Sequence, residues 1–161
     1  MTMKWYVLHV LTGAELEVQR HLKSQGIDAV VLQEAVQLRR GGRWNSEVRV
    51  LFPGYIFLYI HYTASMHHIL KGVSGAIRLL PKDKPMPMSS KDCAWLLMFA
   101  GEDILPPSKV DFSGETPVVL DGPLKELEPY IMKYHRRQHR VSLHIPVLGE
   151  GKDITLSILP I

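Results

Sequence analysis

The chain of 161 residues is 46% hydrophobic and 22% charged, and its formal net charge is +3. This length accommodates one or two small domains, and a single cysteine excludes both a disulfide framework and a cysteine-rich zinc site. No run of 18 apolar residues and no signal-peptide layout occurs, so the sequence predicts a cytoplasmic protein without a membrane partner.

The first hundred residues predict an α+β sandwich, in which helices pack on one antiparallel sheet. A capping box is expected at 12–15, with Thr12 as N-cap and Glu15 reaching back, and Gly26 is expected to end this first helix. The predicted order is strand, helix, strand, hairpin tip, strand, helix, strand and helix, at residues 5–10, 12–26, 27–38, 39–43, 51–60, 65–71, 77–80 and 91–100.

An uncharged decapeptide at residues 51–60 contains four aromatic and two β-branched residues, which predicts a strand. Its first half places the rigid Pro53–Gly54 turn between Phe52 and Tyr55. Aromatic anchors beside a stiff backbone are typical of a protein–protein hot spot. An ordinary central strand, buried on both faces, explains the same composition.

The last third predicts a small β-barrel at residues 115–161, separated by a linker at 103–114 that contains Pro106 and Pro107. Four short strands are expected at 116–120, 130–134, 141–145 and 154–159. Prolines recur through this part of the chain and oppose long helices.

Two basic clusters are candidate contacts for a polyanion. Four cations, Lys133, Arg136, Arg137 and Arg140, fall within eight residues and are joined by His139. Such a strip predicts a nucleic-acid site, although a solvated hairpin surface is its alternative. The cluster of Arg39, Arg40 and Arg43 is equally consistent with nucleic-acid contact and with a soluble hairpin tip.

Catalysis is not indicated. The eight histidines are scattered, and His135 and His139 have no nearby carboxylate to complete a metal site. No phosphate loop, nucleophile elbow or paired-carboxylate pattern is present. We therefore expect no catalytic residue, no metal, no cofactor and no enzymatic activity.

Several motifs in register resemble the NusG-type transcription elongation factors, which join an N-terminal NGN domain to a KOW barrel. The N-terminal motifs are Trp5-Tyr6-Val7-Leu8, Gly13, Phe52-Pro53-Gly54-Tyr55, Gly72-Val73, Pro81 and Pro85-Met86-Pro87. The KOW-like motif ends in Asp121-Gly122-Pro123-Leu124. The resemblance implies a monomeric factor of the bacterial cytoplasm and nucleoid, with residues 1–102 binding RNA polymerase.

Site residues follow from the same resemblance. The polymerase clamp helices are expected to contact an aromatic patch, here Phe52, Pro53, Gly54 and Tyr55 with Trp5 and Tyr6, while Ser65 and His67 fall where some members touch the opposite jaw. His21 and Gln25 match positions that contact non-template DNA in the paralogue RfaH. Leu11 and Ser24 replace basic residues at two other such positions, which leaves specific DNA reading open.

The KOW-like part departs from the general family pattern. Leu124 stands where general members have phenylalanine, and a basic stretch follows. This resembles the LoaP group, antiterminators whose KOW domain recognises a nascent RNA hairpin. The resemblance implies RNA contacts at Lys133, Arg136, Arg137, His139 and Arg140. The alternatives are a KOW domain that docks Rho or a ribosomal protein, and a ribosome-associated KOW protein that binds RNA.

Overall fold

The computed structural model describes residues 2–101 and 104–161. In chain order its helices and strands are β1 (Lys4–Val10), α1 (Glu15–Ser24), β2 (Asp28–Val30), β3 (Gln33–Arg40), β4 (Arg43–Val50), β5 (Tyr55–Ile60), α2 (Ala64–Lys71), β6 (Ala76–Leu80), α3 (Ser90–Ala100), β7 (Ser108–Asp111), β8 (Val118–Asp121), β9 (Ile131–His135), β10 (Arg140–Val147) and β11 (Glu150–Pro160). Two 3₁₀ segments, Pro123–Tyr130 and Arg136–Gln138, interrupt the last strands. The predicted α+β class is confirmed, and the predicted elements occur in the expected order. The strand expected at 27–38 is two strands, β2 and β3, and residues 43–50 form a further strand, β4, that the prediction did not include.

Contacts group the chain into two compact units that do not follow a single cut in the sequence. The first unit runs through Val31 and continues with Phe52–Ala94 and Val147–Gly149. The second unit contains Leu32–Leu51, Trp95–Pro146 and Glu150–Ile161. The β3–β4 hairpin, which the sequence places within the N-terminal domain, therefore makes its contacts with the C-terminal strands.

The first unit is built on a four-stranded sheet in the order β2-β5-β1-β6. β1 and β5 pair antiparallel from Lys4 opposite Ile60 to His9 opposite Tyr55. In the middle of this pair the side chains on both faces of the sheet are apolar and buried. Val7, Leu8, Ile56, Phe57 and Leu58 are at most 1% exposed.

Helix α1 ends as the sequence predicts but begins differently. Gly26 has φ of +79°, and its N–H donates to the Lys23 carbonyl while the next N–H donates to the Leu22 carbonyl, which together form a Schellman end. Thr12 is not the N-cap; Ala14 holds that position without a side-chain cap. The carboxylate of Glu15 instead accepts hydrogen bonds from two loop N–H groups, so the capping-box prediction is wrong.

The second unit combines a two-stranded hairpin with a five-stranded sheet in the order β8-β7-β11-β10-β9. The hairpin pairs in unbroken register from Gln33 opposite Val50 to Arg40 opposite Arg43. Gly41 and Gly42 both have positive φ, +57° and +76°, as a two-residue hairpin turn requires. The predicted hairpin tip is confirmed.

Part of the expected linker is a strand. Residues 103–114 contain β7, which pairs parallel with β11 and antiparallel with β8. Ser108 and Val110 are buried and Lys109 is exposed, an alternation too short to read from sequence beside Pro106 and Pro107. The predicted boundary at residues 102–103 lies outside the described residues.

Apolar side chains from the hairpin, from the end of α3 and from the C-terminal sheet and its connections form the core of the second unit. Its most buried members, each at most 2% exposed, are Val36, Trp95, Leu96, Phe99, Leu105, Val110, Leu124, Leu127, Val141, Leu143, Ile145, Leu156 and Ile158. Across residues 2–101 and 104–161, no helix is long and apolar enough to span a membrane.

Candidate nucleic-acid interface

One face of the β1–β5 pair gathers the first group of predicted site residues. Trp5 lies directly opposite Tyr59, and His9 lies opposite Tyr55, so these side chains share a face. We name Trp5, His9, Tyr55, Phe57 and Tyr59 the aromatic face. The rings of Trp5 and Tyr59 are 5.1 Å apart, and those of His9 and Tyr55 meet edge to face at 6.2 Å.

The aromatic face is open at its ends and closed at its centre. Trp5 and Tyr55 are half-buried, Tyr59 is 36% exposed, and Phe57 is fully buried. Phe52 is only 1% exposed and packs edge to face on Phe57 at 5.5 Å and parallel to Tyr55 at 6.5 Å. The prediction of two neighbouring surface anchors is therefore wrong in one respect, because Phe52 lies in the core beside Tyr55.

The start of β5 is held by the first helix. Glu15 is 3% exposed, and its Oε2 accepts a hydrogen bond from the Gly54 N–H at 2.7 Å while Oε1 accepts one from the Gly13 N–H at 2.8 Å. Gly54 has φ of +85° and is buried, whereas Pro53 is exposed. These bonds fix the backbone directly before Tyr55.

The other predicted polymerase contacts do not join the aromatic face. Tyr6 is 8% exposed and pairs with Leu58 on the opposite side of the sheet. Its ring lies 5.7 Å from that of Tyr62, whose hydroxyl is 3.3 Å from Nδ1 of His67. Ser65 and His67 are both exposed. The structure therefore divides the predicted polymerase set into two groups.

The two residues predicted to meet DNA are neighbours at the end of α1. Both His21 and Gln25 are exposed, and the Gln25 amide nitrogen lies 2.8 Å from Nε2 of His21. The i,i+4 spacing places both on one helix face.

The two basic clusters of the sequence meet in the second unit. Arg39 and Trp44 from the hairpin line one cleft together with Arg136, Arg137, His139 and Pro160, and this cleft is open to solvent and has a volume of about 590 Å³. We name these six residues the basic cleft. The three arginines are exposed, while Trp44 and His139 are half-buried.

A ring stack forms part of the basic cleft. The imidazole of His139 lies parallel to the Trp44 indole, with ring centres 3.6 Å apart and planes 8° from parallel. The Arg39 guanidinium lies 6.0 Å from the Trp44 ring. Burial, with the positive charge of Arg39 as a smaller cause, holds the pKa of His139 below its usual value. The lowered pKa favours the neutral imidazole.

Two of the predicted RNA contacts lie outside this cleft. Lys133 is exposed on β9, away from the cleft lining. The Arg140 guanidinium lies 2.9 Å from Oε1 of Glu34 and also contacts Thr155. Glu34 is 3% exposed, so Arg140 neutralises a buried carboxylate of the hairpin. Its role in the fold is structural, and any contact with RNA stays a prediction.

The sequence alone did not identify Trp44 or Arg39 as partners of the C-terminal strip, the basic cluster at residues 133–140. The one local signal was an indole next to a cluster of arginines, since Trp44 follows Arg43 and pairs across the hairpin with Arg39. Nothing local shows that residues nearly a hundred positions later complete the cleft. Within the described part of the chain, no three His, Cys, Asp or Glu side chains form a group that could hold a metal ion.

Comparison with known proteins gives a consistent match. The family described as "Transcription termination factor nusG" matches residues 3–97. The Neisseria meningitidis "Transcription termination/antitermination protein NusG" is 30% identical over 171 residues, covering 97% of this chain and 95% of that protein. The Pseudomonas aeruginosa protein of the same description is 27% identical, with coverage of 97% and 96%. These relatives are transcription factors rather than enzymes.

A solved structure shares the fold. The structure described as "Domain interaction in Thermotoga maritima NusG" superposes with a TM-score of 0.55 at 20% sequence identity, covering 98% of this chain and 95% of that chain.

Proposed function

The chain belongs to the NusG family of transcription termination/antitermination factors, and from this premise we propose that it acts as an elongation and antitermination factor with two working surfaces. The N-terminal part, residues 1–102, binds the clamp helices of RNA polymerase and suppresses pausing or termination. The C-terminal part, residues 115–161, recruits nascent RNA. The observation that carries the proposal is the family match, which spans nearly the whole chain in the curated relatives.

The polymerase surface is assigned to the open ends of the aromatic face. Trp5 and Tyr55 each present a partly exposed ring on a paired strand, and rigid aromatic anchors dominate binding energy at protein interfaces. Phe52 supports Tyr55 from the core. Ser65 and His67 form a second exposed group, which would meet a different part of the enzyme. His21 and Gln25 remain candidates for the non-template DNA strand.

The RNA surface is assigned to the C-terminal strip. Lys133, Arg136 and Arg137 are exposed cations, and exposed arginine suits phosphate and unpaired bases. Leu124 is aliphatic and fully buried. This position therefore presents no surface aromatic ring of the kind that general members use to bind Rho or the ribosome. Both features favour the LoaP-type specialisation.

Co-purification with RNA polymerase tests the first surface. Tyr55→Ala in the full chain should weaken binding roughly 30-fold, the equivalent of a loss of about 2 kcal/mol. Tyr130→Ala is the matched control, since it removes the same ring outside the aromatic face. Binding that survives Tyr55→Ala and Trp5→Ala together, with the fold intact by circular dichroism, would reject this surface.

Binding to an RNA hairpin tests the second surface. The triple change Lys133→Gln, Arg136→Gln and Arg137→Gln should abolish hairpin binding by the full chain. Lys71→Gln, Lys82→Gln and Lys84→Gln remove the same charge from the first unit and should leave binding unchanged. If the unaltered chain binds no RNA at low salt, the result favours a C-terminal domain that docks a protein. Pull-downs with and without RNase would then identify that partner.

A further inference from the structure

We propose that the basic cleft is a composite site for one unpaired nucleotide of RNA, and that the β3–β4 hairpin supplies half of it through Trp44 and Arg39. This inference rests on the proposed RNA-binding function and extends it in two ways. It names the form of RNA that is recognised, and it adds two residues that lie far from the C-terminal strip in sequence.

The size and composition of the basic cleft suit a small ligand that carries phosphate. A volume of about 590 Å³ falls within the range of roughly 300–1,000 Å³ that is usual for sites holding a small organic ligand. None of the six lining residues is acidic, and three are arginines. The local charge is therefore positive where the whole chain carries only +3, which favours a ligand with phosphate groups.

The ring stack in the basic cleft suits a flat ligand group. The parallel rings of Trp44 and His139 at 3.6 Å show that flat groups already pack face to face at this place. A nucleobase has the same shape and can extend or join such a stack, and Arg39 offers a further planar surface. Bases within a duplex are occupied by their neighbours, so this chemistry selects an unpaired base.

His139, in the wall of the basic cleft, has two unusual features. Nδ1 of His139 is buried and makes no hydrogen bond within the described residues. His139 also has a positive φ of 55°, an uncommon conformation for a residue other than glycine. Unpaired buried atoms and unusual backbone both occur more often at functional sites than elsewhere. They mark His139 as a constrained position in the wall of the cleft.

Buried and part-buried polar contacts hold the two halves of the basic cleft together. Oε1 of Glu34 in the hairpin lies 2.9 Å from the Arg140 guanidinium, and Oε2 accepts a hydrogen bond from the Ser157 N–H at 3.3 Å. The Gln37 N–H donates a hydrogen bond to Oγ of Ser157 at 3.2 Å. These buried or part-buried bonds join β3 to β10 and β11. Arg140 is thus a positioning residue, which keeps Arg39 and Trp44 opposite Arg136 and Arg137.

Fluorescence anisotropy on the full chain tests the proposal. The probes are a labelled 12-nucleotide single-stranded RNA of mixed sequence, the blunt duplex of the same sequence and a hairpin with an open loop. We expect the single strand and the hairpin to bind at least about fivefold more tightly than the duplex, the lower bound for one stacked base. Equal affinity for all three would overturn the nucleotide site.

Variants of the hairpin decide whether the site is composite. Trp44→Ala and Arg39→Gln should each weaken binding of the single strand by about fivefold or more, with little change for the duplex. Trp44→Phe keeps a stacking ring and should restore most of the affinity, which separates stacking from a folding defect. Arg43→Gln is the matched control, because it removes the same charge from the hairpin tip outside the cleft.

The outcomes separate this inference from the proposed function. If Trp44→Ala and Arg39→Gln bind normally while Arg136→Gln and Arg137→Gln do not, the strip binds RNA without the hairpin and the composite site is rejected. If the unaltered chain binds no RNA, the proposed function fails first. Equally tight capture of a labelled polyglutamate peptide would show an acidic protein segment as the occupant and would also overturn the proposal.

Discussion

Glu34 and Arg140 form a pair whose two members should respond unequally to mutation. Burial raises the pKa of Glu34 above its usual value, and the nearby Arg140 charge only partly offsets this. A raised carboxyl pKa means that this group's contribution to stability is fully present below its unfolded pKa and is lost as pH rises through the folded pKa. At neutral pH the ionised pair is therefore a weak source of stability.

The expected result is an asymmetry in urea unfolding at pH 7. Arg140→Gln should lower the free energy of unfolding by about 3 kcal/mol, because it leaves a buried carboxylate without its partner. Glu34→Gln leaves the mostly buried Arg140 guanidinium without its counter-charge but keeps an acceptor oxygen beside it, so it should lower the free energy of unfolding by less than Arg140→Gln does. Equal losses in the two variants would mean that the ion pair itself is strongly stabilising, against the direction of the Glu34 pKa.

Gly122 should tolerate no side chain. It has φ of +98°, and a Cβ added there would lie 2.6 Å from Oγ and 2.7 Å from Cα of Ser108. Oγ of Ser108 accepts a hydrogen bond from the buried Leu124 N–H at 2.9 Å, so it cannot move away freely. Gly122→Ala should cost at least about 2 kcal/mol by thermal unfolding, while Gly114→Ala, which meets only one atom at 3.8 Å, should cost less than about 1 kcal/mol.

The turn before β5 and the start of β5 have different roles, and stability measurements should separate them. Phe52 is 1% exposed against Phe57, so Phe52→Ala should lower the free energy of unfolding by about 3–5 kcal/mol. Tyr55 is half-buried at the edge of the same cluster. Tyr55→Ala should therefore lower the free energy of unfolding by clearly less than Phe52→Ala does, while it weakens binding to RNA polymerase. The two variants are compared by chemical denaturation beside the co-purification assay. Similar losses of stability would place Tyr55 in the core and remove it as an anchor.

The hairpin β3–β4 shows where element-level prediction succeeds and stops. Its tip follows from Gly41 and Gly42, because the positive φ of a tight turn is a local requirement. Its packing partner does not follow, because the contacts of Glu34 with Arg140 and Ser157 join residues more than a hundred positions apart. The burial of Phe52 does not follow from the sequence either, because it depends on how the turn before β5 folds back to pack Phe52 on Phe57.

The distribution of charge over the molecule predicts how RNA affinity should depend on salt. The net charge is only +3, but Lys133, Arg39, Arg136 and Arg137 are exposed cations of the second unit. Three to four phosphate contacts on a single strand imply a slope of roughly −2 to −3 in a plot of log association constant against log salt concentration. Titrations from low to physiological salt measure it, and a slope near zero would contradict phosphate binding.

The sequence by itself determined the α+β class, the order of the N-terminal elements, the Gly26 helix end and the hairpin turn, since each depends on neighbouring residues and on backbone conformations that only some residues adopt. The family was also readable from motifs in register. Only the tertiary structure decided that Phe52 is core, that β7 joins the last sheet, that Arg140 neutralises Glu34, and that Arg39 and Trp44 meet Arg136 and His139. These are long-range contacts, whose free energy comes from burial and pairing between segments that are distant in the chain. A local sequence pattern does not predict such contacts.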